Sequence, residues 1–117
     1  MKIKDMISEA VSTYIKENGT ENILSRREIF EIISKKYDVK YGSIIPTDYC
    51  YNRYNFGVKK FKDSPHFFEY IKRDTFKVIG ENQPYSGCIY HKKKGDKKEQ
   101  IVGKWQRGAL CLNEGEA

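Results

Sequence analysis

Between Tyr41 and Gly57 the chain reads YGSIIPTDYCYNRYNFG, and this stretch lies between two halves of different hydrophobic period. Before it, apolar residues recur at helical spacing. After it, aromatic and β-branched residues gather in short runs bounded by turn formers. Pro46 fits a helix only in its first turn, and Gly57 is a natural stop. The stretch therefore predicts a helix over about 46–55. Ile44, Ile45, Tyr49 and the stem of Arg53 would face inward, with Asp48, Tyr51, Asn52 and Asn55 outward.

The first half supports a helical reading. Ile3, Met6, Ile7, Ala10, Val11, Tyr14 and Ile15 follow i, i+3, i+4, i+7 spacing and predict an amphipathic helix over 3–17, ended by Asn18-Gly19. Ser25 with Glu28 three residues on is a capping box, and Leu24 with Ile29 is a hydrophobic staple, so a second helix is expected over 26–37. In the second half, Phe67–Ile71 and Thr75–Ile79 around Lys72-Arg73-Asp74 predict a β-hairpin. Cys88–His91, Gln100–Trp105 and Ala109–Leu112 predict further strands. The expected fold is α+β: a winged helix-turn-helix, three helices then a hairpin wing, with extra C-terminal strands. A single domain over 1–112 with an acidic tail, 113–117, follows from a length of 117 residues.

Charge bounds the partners. Lys and Arg outnumber Asp and Glu by 22 to 16, a net charge of +6, which favours a polyanionic partner such as nucleic acid but also suits an ordinary soluble surface. The segment His91–Lys98, HKKKGDKK, concentrates five lysines against one acid. Three widely spaced cysteines argue against a disulfide framework and for a reducing, cytoplasmic setting. The N-terminal residues are charged throughout, and no run approaches the ~20 apolar residues of a membrane span.

The residue types on the outer face of 46–55 suit base and phosphate contact. Asn pairs with adenine edges, Arg with guanine edges, and Thr and Tyr reach phosphate or a thymine methyl. Thr47, Asp48, Tyr51, Asn52, Arg53 and Asn55 are therefore the expected readers. The competing reading is that these Tyr and Asn residues build a structural turn. Lys72 and Arg73 at the hairpin tip, Lys59 and Lys60 after the focal stretch, and Lys92, Lys93 and Lys94 in the basic run would hold phosphate by counterion release. Arg26 and Arg27 open the second helix, whose N-terminus favours phosphate. Tyr49, Tyr51, Tyr54, Phe56, Tyr85 and Trp105 could form an aromatic pocket for a flipped or modified base, or simply fill the core. Cys50, Cys88, Cys111, His66 and His91 lack zinc-ligand spacing, and no catalytic or cofactor motif is recognisable. No metal, cofactor or catalytic residue is expected.

GSIIPTDYCYNRYNFG, the aromatic hairpin and GENQPYSG together resemble winged-helix modules of bacterial and phage proteins, some of them appended to HNH-type or restriction nucleases. The resemblance spans residues 5–90 and implies double-stranded DNA binding, linked to restriction, defence or transcription regulation. The chain has no HNH segment, so the resemblance leaves nuclease activity to a partner or a missing domain. A homodimer on a palindromic site is compatible with it. The alternatives are a protein-interaction adaptor on the same scaffold and a small nuclease.

Overall fold

The computed structural model describes residues 1–54, 61, 64–91 and 98–112. The amphipathic repeat at the N-terminus forms α1 (Ile3–Asn18), burying Ile7, Ala10 and Val11. It ends at Gly19, whose N–H makes the last helical bond to the Ile15 carbonyl at 2.7 Å and whose φ of 82° turns the chain out of the helix. A short strand, β1 (Ile23–Ser25), follows. α2 (Arg26–Ser34) starts on the Ser25–Glu28 capping box, with both reciprocal hydrogen bonds present at 3.0 and 3.1 Å. It stops before the expected residue 37. Lys36 N–H turns to the Ile33 carbonyl three residues back, and the Tyr37 hydroxyl is tied to Glu9 on α1.

Beyond α2 come two single-turn 3₁₀ segments, Tyr41–Ser43 and Pro46–Tyr49. Then β2 (Phe68–Lys72) and β3 (Thr75–Val78) form the hairpin, and β4 (Gly87–His91), β5 (Gln100–Gln106) and β6 (Ala109–Leu112) follow. The strands make two antiparallel three-stranded sheets, ordered β1-β3-β2 and β4-β5-β6. The hairpin and the three later strands fall within about a residue of the sequence expectation. β1 does not appear in that expectation, because three residues carry too little alternation to be seen.

The winged helix-turn-helix expectation is overturned. Among the described residues two α-helices form, not three, a strand separates them, and a second sheet completes the fold. The predicted helix over 46–55 is one 3₁₀ turn, Pro46–Tyr49, after which Cys50 is extended at φ −93°, ψ 141°. Adjacent residues explain this. Cys50 is buried in the α1–α2–first-sheet core, while the next residue, Tyr51, is buried against Tyr85 and Trp105. Opposite-facing neighbours are a strand pattern, and a helix cannot supply it. Asn and Tyr also contribute little helix propensity to resist the change.

Two apolar clusters result. The first gathers Ile7, Ile29, Ile33, Ile44, Phe67, Phe68, Phe76 and Val78, each side chain worth roughly 1.5–3 kcal/mol on burial. The second centres on Phe61, Ile89 and Val102, with Tyr54, Trp105, Leu110 and Leu112 against it. Gly103 sits where β5 and β6 approach too closely for a side chain: an added Cβ would lie 2.7 Å from the Cys111 carbonyl oxygen. Among the described residues no helix is long and apolar enough to cross a membrane.

Candidate functional site

Residues 50–54 run as a ribbon between the two sheets, with a turn at residues 51–52 between bridged residues at 50 and 53. Cys50 bridges to Phe68 of β2, and Arg53 bridges to Tyr90 of β4. Backbone hydrogen bonds fix both ends: Tyr51 N–H to Phe68 O at 2.8 Å, Tyr54 N–H to Tyr90 O at 2.8 Å, and Tyr90 N–H to Asn52 O at 3.0 Å. Three side chains of the expected recognition surface, Tyr51, Asn52 and Arg53, make contacts at this joint. Tyr51 is 2% exposed; its hydroxyl donates to Gly80 O at 2.6 Å and accepts from Gln83 N–H at 3.2 Å. Trp105 Nε1–H donates to Tyr51 O at 2.6 Å. Burial pushes the Tyr51 phenol pKa up.

Asn52 is satisfied at both ends of its amide, donating to Tyr70 O at 3.0 Å and accepting from Tyr70 N–H at 2.7 Å. The Arg53 guanidinium lies 4.4 Å from the centre of the Tyr70 ring and pairs with Glu99. Thr47 and Asp48 occupy the half-buried 3₁₀ turn. Tyr51 and Asn52 thus make the internal contacts expected of the structural alternative. Asn55, Lys59, Lys60, Lys92, Lys93 and Lys94 lie outside the described residues.

Lys72 and Arg73 are exposed at the β2–β3 turn, with Asp74 at φ 56° closing it. Arg26 N–H donates to Asp74 O at 3.1 Å, which sets the start of α2 beside this turn. Arg26 and Arg27 flank the Tyr41 ring at 4.5 and 5.5 Å, and Arg26 also donates to Ile44 O at 3.2 Å. Arg53 links Tyr70 of β2 to Glu99, the residue before β5. Of the acidic groups at this end, Glu28 is engaged in the cap and Glu31 pairs with Arg27 at 3.6 Å, while Asp74 is exposed beside Arg73. The roles of Glu99 and Tyr41 carried no sequence signal, since both depend on contacts across the fold.

Of the six expected pocket aromatics, Tyr51, Tyr85 and Trp105 do come together, with Tyr51 and Tyr85 stacked at 4.7 Å and Tyr51 edge-on to Trp105 at 5.1 Å. Tyr49 packs instead on Phe67 in the first core, Tyr54 stacks on Phe61 at 5.7 Å, and Phe56 lies outside the described residues. Tyr85 donates to Glu69 Oε2 at 2.5 Å, and Lys77 pairs with the other oxygen at 3.7 Å. Burial first, then Glu69, drives the Tyr85 phenol pKa far up. Cys50 is buried and bonds Pro46 O at 3.4 Å, whereas Cys88 and Cys111 are exposed thiols.

His66 joins the same aromatic group, with ring centres 4.3 Å from Phe61 and 5.1 Å from Trp105. Burial lowers its pKa to about 4, partly opposed by a hydrogen bond with the Phe61 backbone. The folded chain therefore stays neutral at His66 while the unfolded chain protonates near pH 6.5. Stability from this group is full above about pH 6.5 and falls by roughly 3 kcal/mol as pH drops toward 4. Urea titrations across that range should show the decline, and His66→Phe should flatten it.

A family model described as a domain of unknown function, DUF7225, matches residues 2–112. An uncharacterized protein of Bacillus subtilis (strain 168), YnaC, is 41% identical over 114 residues, covering 97% of this chain and 40% of that protein. The chain thus spans well under half of that relative's length. No solved structure matches.

Proposed function

The chain belongs to the DUF7225 family, and we propose that its domain binds double-stranded DNA through the cationic end formed by Arg26, Arg27, Lys72 and Arg73. The observation that carries this reading is the Arg26 N–H to Asp74 carbonyl bond of 3.1 Å, which joins the first turn of α2 to the β2–β3 turn. Two basic pairs distant in sequence become one surface. The lysine-rich stretch from His91 to Lys98 adds to the positive charge of the chain. Phosphate contact of this kind positions a protein on a duplex without reading sequence. Residues 46–53 take no part in this contact.

Fluorescence anisotropy with a short labelled duplex tests it. Binding should weaken steeply between about 50 and about 200 mM salt. Lys72→Ala combined with Arg73→Ala should weaken every duplex alike and lower the log–log salt slope by about 2. A duplex that fails to bind at low salt, or a double variant with an unchanged slope, would overturn the reading. One observation favours the adaptor alternative: Ile23 and Ile71, 57% and 43% exposed, lie on the first sheet away from its core. Salt-insensitive association lost in Ile71→Lys would support that alternative.

A further inference from the structure

The second sheet carries two of the three thiols on one face. Cys88 of β4 lies directly opposite Lys104 of β5, and Lys104 lies directly opposite Cys111 of β6. Residues opposite one another in an antiparallel sheet share a face. The three side chains therefore form one row across the strands, with the amine in the middle. All three are exposed, so solvent reaches the whole row.

The register limits what these thiols can do when oxidised. Opposite positions bring Cβ atoms to about 4.5–5.5 Å, so Lys104 is within reach of either thiol. Cys88 and Cys111 are two strand spacings apart, on the order of 9–10 Å. A disulfide needs Cα atoms within about 7 Å. The third thiol, Cys50, is buried in the first core, out of reach of both. A disulfide formed at Cys88 or Cys111 must therefore take its second sulfur from outside the chain.

Charge selects among outside sulfurs. Strands β4, β5 and β6 contain no Asp or Glu, and Lys104 is their one Lys or Arg. Among the described residues no carboxylate pairs with it. An ammonium set between two thiols on such a face attracts a negatively charged reagent. It also opposes the docking of two chains on this face, since each would bring its own Lys104 to the contact. The row belongs to the second sheet, whereas Lys72 and Arg73 join two strands of the first, so the inference does not rest on the DNA reading.

We propose that Cys88 and Cys111 accept mixed-disulfide modification from low-molecular-weight disulfides that carry carboxylates, with Lys104 selecting for their charge. The protein thiol gives its proton to solvent, and the thiolate attacks one sulfur of the reagent. A new S–S bond joins protein and reagent, the reagent's own S–S bond breaks, and its second sulfur leaves as a thiolate with the electron pair. The cysteine is oxidised, and the departing half of the reagent is reduced.

The reduced, folded chain would be treated in parallel with glutathione disulfide, which is net negative, and with cystamine, which is net positive. Adducts are mapped by mass spectrometry and their rates followed. Adducts are expected on Cys88 and Cys111 and not on Cys50. The two reagents differ in intrinsic reactivity, so the quantity compared is the ratio of their rate constants, glutathione disulfide over cystamine. That ratio should fall about tenfold in Lys104→Glu. If that variant does not fold, Lys104→Gln, which keeps the length and loses the charge, should lower it about threefold. An unchanged ratio in Lys104→Glu, or in Lys104→Gln where that variant stands in for it, would overturn the proposal. So would a bridge between Cys88 and Cys111, or a disulfide-linked dimer as the main product.

Discussion

Tyr51→Ala should remove about 3–5 kcal/mol of folding stability. The ring is almost wholly enclosed and touches Tyr85, His66 and Trp105, so its loss opens a cavity among large side chains that cannot collapse into it. Against a total stability of order 5–15 kcal/mol, a loss of that size leaves the chain marginal. Tyr51→Phe separates the two contributions. It keeps the ring but strips a partner from the Gly80 carbonyl and the Gln83 N–H, at about 1–3 kcal/mol. Urea denaturation with a constant slope measures both. An alanine variant as stable as the parent would refute the role of Tyr51 as the joint.

Asn52→Ala should cost roughly 2–3 kcal/mol, because it leaves both the N–H and the carbonyl of Tyr70 without their partner. Asn52→Asp is the sharper probe. It keeps the acceptor for Tyr70 N–H but loses the donor to Tyr70 O and sets two oxygens against each other. If Asn52 were a base reader, these variants would change duplex affinity while stability stayed level. The junction instead requires stability to fall and the duplex affinity of the remaining folded protein to hold. Denaturation and anisotropy on the same samples decide between the two outcomes.

The comparison between sequence and structure turns on this same stretch. α1, α2 and the hairpin were legible because each carries a local signature: a helical apolar repeat, a capping box, and paired β-rich runs around a turn. The stretch from Pro46 onward misled because its first turn is genuinely helix-like. Whether the chain then continues as a helix depends on where Cys50 and Tyr51 find burial, and that is set by Phe68, Tyr85 and Trp105, far away in sequence. Polar and aromatic residues that suit DNA recognition also suit a joint that must satisfy exposed sheet edges. Residue type alone could not separate the two uses of Asn52. The convergence of Arg26 with the Lys72–Arg73 turn was likewise hidden, because it needs β1 to bring α2 alongside β3.

The ribbon at residues 50–54 has a consequence for how the molecule comes apart. Each sheet has only three strands and its own small apolar cluster, so each would be weak alone. The ribbon gives hydrogen bonds to both, and Tyr51 bonds Gly80 beyond β3 and Trp105 of β5. Opening either sheet strips partners from the ribbon and so exposes the other. The two sheets are thereby coupled into one cooperative unit, in which slow amide exchange in β2 and in β4 reports the same global event.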